Sequence, residues 1–299
     1  MSNYTLDKLG FSPTSRIVLP NHDDLAMDHG ANTAFAELVQ RGFVKSGSVM
    51  VPCPWFPQLA RMARSNAALD IGVHLTLTSE WFDYRWRPLS TSNKSSGLID
   101  ADGFFWRNRT LLRQNLNIEA AEIELRAQIR TAIEAGIDVT HLDSHMGVGL
   151  LPELVNVYIN LGREYGLPVL LPRIIMDSLK VFKMDGIQVS FYDEIVSALE
   201  KMLYPMVDHF SITPGFCSME VKSGYESLLS NVPEGITFLS LHPNAPGTIE
   251  FIDPSKHSWR TDEYRVFSEF FGSESLEAHG IKTISFKELR NVLRATKRE

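Results

Sequence analysis

The chain has 299 residues, 44% hydrophobic and 22% charged, with a formal net charge of −7. That is ordinary globular composition, and no basic patch offers a surface for nucleic acid. No apolar run of about 18 residues suggests a membrane span, and the first residues lack the apolar stretch of a secretory signal, so the cytoplasm is the expected location.

In chain order, short apolar strand-like runs alternate with helical patterns. Strands are expected at Arg16 to Pro20, Ser46 to Val51, Asp70 to Thr78, Val139 to Ser144, Pro168 to Arg173, His209 to Thr213, Thr237 to His242 and Lys282 to Phe286. Between them, Ala31, Ala34, Phe35, Leu38 and Val39 share one apolar helical face that ends at Gly42, and Pro57 opens a second helix. Ile118 to Ala135 reads as a long helix stopped by Gly136, and Leu154 to Leu161 as another stopped by Gly166. Tyr192 to Leu203 and Asp262 to Phe271 also read as helices, and Ser285 with Glu288 forms a capping box for the last one. Alternating β and α units imply a parallel sheet, and eight of them suggest a single α/β domain over residues 1–299, a TIM-like (β/α) barrel closed by its first and last strands. One long irregular stretch, about 79–115, reads as a lid-like insertion whose Trp81, Trp86 and Trp106 either stack on a sugar or pack the loop down. Asp100-Ala101-Asp102-Gly103 within it reads as a turn, not a calcium loop. Cys53 and Cys217 are expected as free buried thiols.

In parallel α/β proteins, residues that act on ligands gather at the carboxyl ends of the strands. Three such ends carry chemistry here. Asn21-His22-Asp23-Asp24 places two carboxylates side by side, which repel unless a cation lies between them; one can then ligate while the other stays free as a base. In Gly72 to Thr78, a period of two sends Val73, Leu75 and Leu77 toward helices and His74, Thr76 and Thr78 toward the axis. In His141-Leu142-Asp143-Ser144-His145 the same period puts three ionisable groups on one inward face, costly to bury without a metal or a His–carboxylate–metal arrangement. A fourth end carries His242, a candidate general acid. One carboxylate, two imidazoles and open positions make a hydrolytic metal site suited to Zn2+, with other divalent ions such as Mg2+ open.

At these residues the chain resembles the YdjC family, which includes chito-oligosaccharide deacetylases. The resemblance rests on Asn21 to Ala26, Gly72 to Thr78, Pro88-Leu89-Ser90, Leu98 to Phe105, His141 to His145, His242-Pro243 and Arg260 to Glu263, in that order along most of the chain. It implies a distorted (β/α) barrel, a divalent metal on Asp24, His74 and His145, and Asp23 as catalytic base. The implied reaction removes acetyl groups from an N-acetylated small-molecule carbohydrate: water activated by the metal gives its proton to Asp23, and His242 protonates the leaving amine. His141 and Asp143 are expected behind the ligands, and Arg173 is expected to hold Asp23 or a substrate oxygen. A homodimer is compatible with all of this. Two departures from the family pattern stand out. Leu25-Ala26 replaces Phe-Gly, and Met146-Gly147-Val148-Gly149 stands where further histidines usually follow. Competing readings are a metal-dependent sugar isomerase or phosphohydrolase and a carbohydrate-binding protein that has lost catalysis.

Overall fold

The computed structural model describes residues 3–184, 186–212 and 220–296. Among the described residues, seven parallel strands build the sheet: β1 (Arg16–Leu25), β2 (Ser46–Val49), β3 (Ile71–Leu75), β4 (Val139–Ser144), β5 (His209–Ile212), β6 (Gly235–Leu241) and β7 (Lys282–Thr283). Six of them run in the spatial order β4-β3-β2-β1-β6-β5, and β7 pairs with β1 off that path. The stretch between β4 and β5 is irregular. Pro168 to Arg173, expected as a strand, makes one bridge, Leu142 to Val169, because Pro168 and Pro172 have no N–H to give a ladder. It still spans the gap. The Leu170 N–H donates to the Leu142 carbonyl at 2.9 Å, and the Arg173 and Ile174 N–H groups donate to Val207 and Asp208, each at 3.0 Å. The result is a distorted (β/α) barrel.

The first and last strands meet, as expected, but only briefly. β1 pairs directly with β6 from Arg16 opposite Gly235 to His22 opposite Leu241. β7 touches β1 only at Ile17 and Val18, below the point where β2 takes over the same edge. The reason is local. The Glu288 carboxylate accepts the Ser285 N–H at 2.7 Å, so the final helix, Phe286–Thr296, begins before β7 can lengthen.

Alternation along the strands sorts side chains into two layers. Val18, Val73, Leu75, Leu239 and Leu241 face outward into the core shared with the helices. Ile17, Leu19, Phe210, Ile236 and Phe238 face inward and, with Leu6, Phe286 and Leu289, plug the amino-terminal end of the barrel. Higher on the same inward faces the residues turn polar: Asn21 and Asp23 follow Ile17 and Leu19 on β1, and Ser240 follows Phe238 on β6. The barrel therefore has an apolar floor under a polar mouth.

The helices follow the expected pattern. His29–Arg41 is capped by the Asp28 carboxylate and ends at Gly42 with φ of 79°. Ile118–Glu134 is capped by Asn117 and buries Ala121, Leu125, Ile129 and Ala132. Its buried polar residues shape what lies above the barrel. The Gln128 carboxamide accepts the Thr76 N–H at 2.9 Å and donates to the Thr76 carbonyl at 2.7 Å, which ends β3 at Leu75. Thr76 and Thr78 thus lie past the strand, and neither lines the cavity at the barrel mouth. The Glu124 carboxylate accepts the Leu89 and Ser90 N–H groups at 3.1 and 2.8 Å, pinning the long connection that follows. That connection holds a helix of its own at Arg109–Asn115, inside the stretch read as loop. Asp100 makes the expected turn, accepting N–H groups from Asp102 and Phe104, with Gly103 at φ of 81°. Cys53 is free and buried; Cys217 lies outside the described residues. Among the described residues no helix is long and apolar enough to cross a membrane.

Two backbone positions probe this packing. A Cβ on Gly72 would lie 2.4 Å from ring atoms of the buried His141. Gly72→Ala should lower stability by roughly 1–3 kcal/mol in urea unfolding. Ala26 has φ of 69°, a left-handed conformation unfavourable to a side chain. Ala26→Gly should raise stability by up to about 1 kcal/mol, the relieved strain less the extra freedom of the unfolded chain. Opposite signs in the same assay are the expected result.

Candidate metal centre and active-site cavity

β1 delivers the two carboxylates in different ways. Asp23 continues the inward alternation of Asn21. Asp24, at φ of 60°, is left-handed, and the turn swings its carboxylate to the same cavity instead of to the outer face. His22 stays on the outer face, fully buried, with its ring edge-on to Phe35 at 5.9 Å; burial pulls its pKa down to about 3.

The cavity has a volume of about 610 Å3, and its floor is formed by Asp23, Asp24, His74, Asp143, His145 and His242. One donor atom each from Asp24, His74 and His145 lies within 4.8 Å of the others, all three residues buried. Asp24 Oδ1 is 3.5 Å from His74 Nε2 and 3.1 Å from His145 Nδ1. Its other oxygen accepts from Arg260 Nη2 at 2.7 Å. Burial alone would raise the Asp24 pKa, but Arg260 and His145 outweigh it and hold the carboxyl well below the usual range.

Each imidazole has a carboxylate on its far nitrogen. Asp143 Oδ1 lies 2.8 Å from His74 Nδ1, and Ser48 Oγ donates to Asp143 Oδ2 at 2.7 Å. Glu80 Oε2 lies 2.9 Å from His145 Nε2. Burial opposes charge on His145, yet Glu80 and Asp24 push its pKa up to about 10. His74 is also raised, Asp143 overcoming the effect of burial. Among the described residues of this cluster, four carboxylates (Asp23, Asp24, Asp143 and Glu80) converge with one guanidinium, that of Arg260. Such a site favours an added cation. Carboxylate partners behind histidine donors are the usual support of a metal ligand, so this arrangement could hold a metal ion.

Asp23 stands beside the three donors. It accepts from Asn21 Nδ2 at 2.6 Å and Ser240 Oγ at 2.7 Å. Burial and the charge of Asp143 push its pKa up to about 7, against the pull of His74 and those two hydrogen bonds. His242 Nε2 faces Asp23 Oδ2 across 4.0 Å, with its ring edge-on to Trp259 at 5.2 Å. Burial holds the His242 pKa well below its ordinary value. The His242 N–H donates to Glu263 at 2.6 Å, so Arg260 and Glu263, one turn apart on the helix His257–Phe270, fix Asp24 and His242 respectively.

Two expected site residues lie elsewhere. His141 shares the inward face of β4 but sits one layer below the cavity, stacked on Phe286 with ring centroids 3.6 Å apart. Thr140 Oγ1 meets its Nδ1 at 2.9 Å, burial pulls its pKa down to about 3, and it joins the polar mouth to the apolar floor. Arg173 is at the other end of the barrel. Its Nε is 3.0 Å from Asp208, and its guanidinium also meets Glu200, Asn3 and Thr5. With these acceptors beside it at the start of the β5 region, it does not reach Asp23. Of the three loop tryptophans, Trp86 is only 3% exposed and donates to the Thr78 carbonyl, and Trp106 donates to Gly97; only Trp81 lines the cavity.

Sequence reasoning passed over Glu80, Ser48, Ser240 and Trp259, and assigned no task to Arg260. The Ser-Gly-Ser of β2 carried a usable signal: two small hydroxyls at period two on an inward strand face, where a core would take valine. Glu80 carried none, since it follows the end of β3 on irregular chain.

The YdjC-like protein family model matches residues 17–271. A carbohydrate deacetylase of Thermus thermophilus is 33% identical over 244 residues, covering 81% of this chain and 82% of that protein. A carbohydrate deacetylase of Thermoanaerobacter pseudethanolicus is 25% identical over 233 residues, covering 76% and 81%. Among solved structures, a protein of Enterococcus faecalis V583 superposes with a TM-score of 0.75 at 24% identity, over 92% of this chain and 99% of that one, which supports the fold. On the extent of these matches, the chain belongs to the YdjC-like protein family.

Proposed function

We propose that this protein is a metal-dependent carbohydrate deacetylase that hydrolyses the acetamide of an N-acetylated sugar. The observation that carries the reading is the convergence of Asp24, His74 and His145 within 4.8 Å, with the independently held carboxylate of Asp23 beside them. Support from outside the chain is the name shared by the curated relatives.

Asp24, His74 and His145 would hold the ion. One carboxylate and two imidazoles suit Zn2+ better than Mg2+, which prefers an all-oxygen shell. A divalent ion bound there would supply a Lewis acid for the amide carbonyl and lower the pKa of water. The chain does the rest. Asn21 and Ser240 aim the Asp23 carboxylate into the cavity, where it takes the proton of the attacking water. His242, neutral in its buried place and held by Glu263 through its backbone, faces Asp23 and relays to the departing amine the proton that Asp23 took from the water. Arg260 keeps Asp24 ionised and oriented. Trp81 and Trp259 line the same cavity and offer flat apolar faces to a sugar ring. The intact donor set weighs against a degenerate binding protein, and the name of the curated relatives favours deacetylation over isomerisation or phosphate release.

Incubation with a panel of N-acetylated sugars should release acetate and free amine in equal amounts. A chelator should stop the release and added Zn2+ restore it; a metal-loaded protein that frees no acetate from any of them would remove the assignment. His74→Ala and His145→Ala should each lose bound metal, measured by elemental analysis, together with turnover. Asp23→Asn should keep the metal and lose roughly 10²–10⁴-fold in turnover. Unchanged turnover would take Asp23 out of the reaction.

A further inference from the structure

The two carboxylates behind the histidines have different foundations. Asp143 belongs to β4 and is locked by Ser48 of β2. Glu80 belongs to the connection between β3 and the helix Arg109–Asn115. Nothing in the sheet holds it. Its place is set by contacts inside that connection. The Trp86 N–H and indole N–H donate to Ser79 Oγ at 3.1 Å and to the Thr78 carbonyl at 2.8 Å. The Ser79 N–H donates to the Trp106 carbonyl at 2.9 Å. The buried Trp86 ring is edge-on to both Trp81, at 5.7 Å, and His145, at 6.2 Å. Glu80 Oε2 lies on His145, while Glu80 Oε1 is buried and, among the described residues, has no hydrogen-bond partner.

From this geometry we propose that Glu80 is the positioning residue of His145, and that through it cation binding and the ordering of residues 79–86, the part of the connection ahead of the Glu124 anchor, form one linked equilibrium. The proposal rests on the reading of Asp24, His74 and His145 as a metal centre. A histidine that donates from its Nδ1 side to a cation must keep its proton on Nε2, and Glu80 Oε2 is the acceptor that fixes this tautomer and ring orientation. The same hydrogen bond draws the start of the connection onto the barrel mouth. A cation that favours this state of His145 therefore favours the docked loop, and a docked loop favours the cation by the same factor.

The experiment uses the full chain and Zn2+ as probe. Binding is followed by competition with a chromophoric chelator, Co2+ substitution by its visible absorption, and loop order by hydrogen exchange with and without Zn2+. Wild type should bind one Zn2+ and show slower exchange across 79–86 on binding. Glu80→Ala should weaken Zn2+ binding 10- to 100-fold, alter the Co2+ spectrum and abolish the loop protection. Glu80→Gln, which keeps an acceptor but not the charge, should fall between. Reciprocity gives an independent arm: Trp106→Phe removes the indole hydrogen bond to Gly97, away from every donor, and should weaken Zn2+ binding several-fold. Affinities within twofold of wild type in both Glu80 variants, or loop protection that survives Glu80→Ala, would overturn the proposal while leaving the metal centre intact. A wild type that binds no Zn2+ would instead overturn the metal-centre reading beneath it.

Discussion

The site turns on one carboxylate. Asp24 leaves β1 in a left-handed conformation, gives one oxygen to Arg260 at 2.7 Å and turns the other toward two imidazoles. Without the left-handed turn its side chain would follow His22 outward, since strand side chains alternate. Without Arg260 the buried carboxylate would lose the hydrogen bond on its second oxygen and the largest of the charges that hold it ionised, leaving His145 as its remaining hydrogen-bond partner. The helix carrying Arg260 also carries Glu263, which receives the His242 N–H. A single element thus sets the spacing between the Asp24 end and the His242 end of the cavity.

The barrel makes such a concentration of charge tolerable by grading polarity along its axis. At the floor, Ile17, Leu19, Phe238, Phe286 and Leu289 bury area without any polar demand. His141, held neutral by burial and stacked on Phe286, is the transition layer. Above it, each oxygen of Asp143 and Asp23 has a hydrogen-bond or imidazole partner, from Ser48, His74, Asn21 and Ser240. In a low-dielectric interior, such fully connected groups keep fixed directions, whereas partly connected ones would drift or neutralise. The groups ready for chemistry are therefore held before any substrate arrives.

How much of this was legible in the sequence follows from what each residue's position depends on. β4 runs over Val139–Ser144, as its apolar pattern predicts, and period two correctly puts His74 and Asp143 inward. Asp24 and His145 reach the cavity by other means, Asp24 through its left-handed turn and His145 just past the strand end at Ser144, so period two named His145 on a premise of continued extension that the chain does not keep, and only the family motif singled out Asp24 from Asp23. Thr76 and Thr78 were misplaced because the strand is ended by Gln128, a residue far along the chain on a helix. Arg173 was misplaced because a proline-bearing segment carries it to the opposite end of the barrel, where Asp208 and Glu200 claim it. Glu80 was invisible for a related reason: its placement rests on Trp86 and Trp106, and contacts inside an irregular loop have no period.

The two departures from the family pattern can be read on the same footing. Ala26 sits at φ of 69°, where the glycine of the usual Phe-Gly would be free of strain, yet its N–H still reaches the Asn32 carboxamide oxygen at 2.8 Å. The turn that aims Asp24 is thus preserved by a side-chain hydrogen bond in place of backbone freedom. After His145, Met146 and Gly147 are both left-handed, at φ of 53° and 67°. A Cβ on Gly147 would lie 2.8 Å from the Phe182 ring, and the Arg109 guanidinium clasps the carbonyls of Met146 and Phe182. Here too a fixed backbone stands where the family usually supplies histidines. Met146 and Gly147 line the cavity, and Asp24, His74 and His145 keep their convergence beside them, so the departure changes the cavity wall and leaves the proposed metal centre intact.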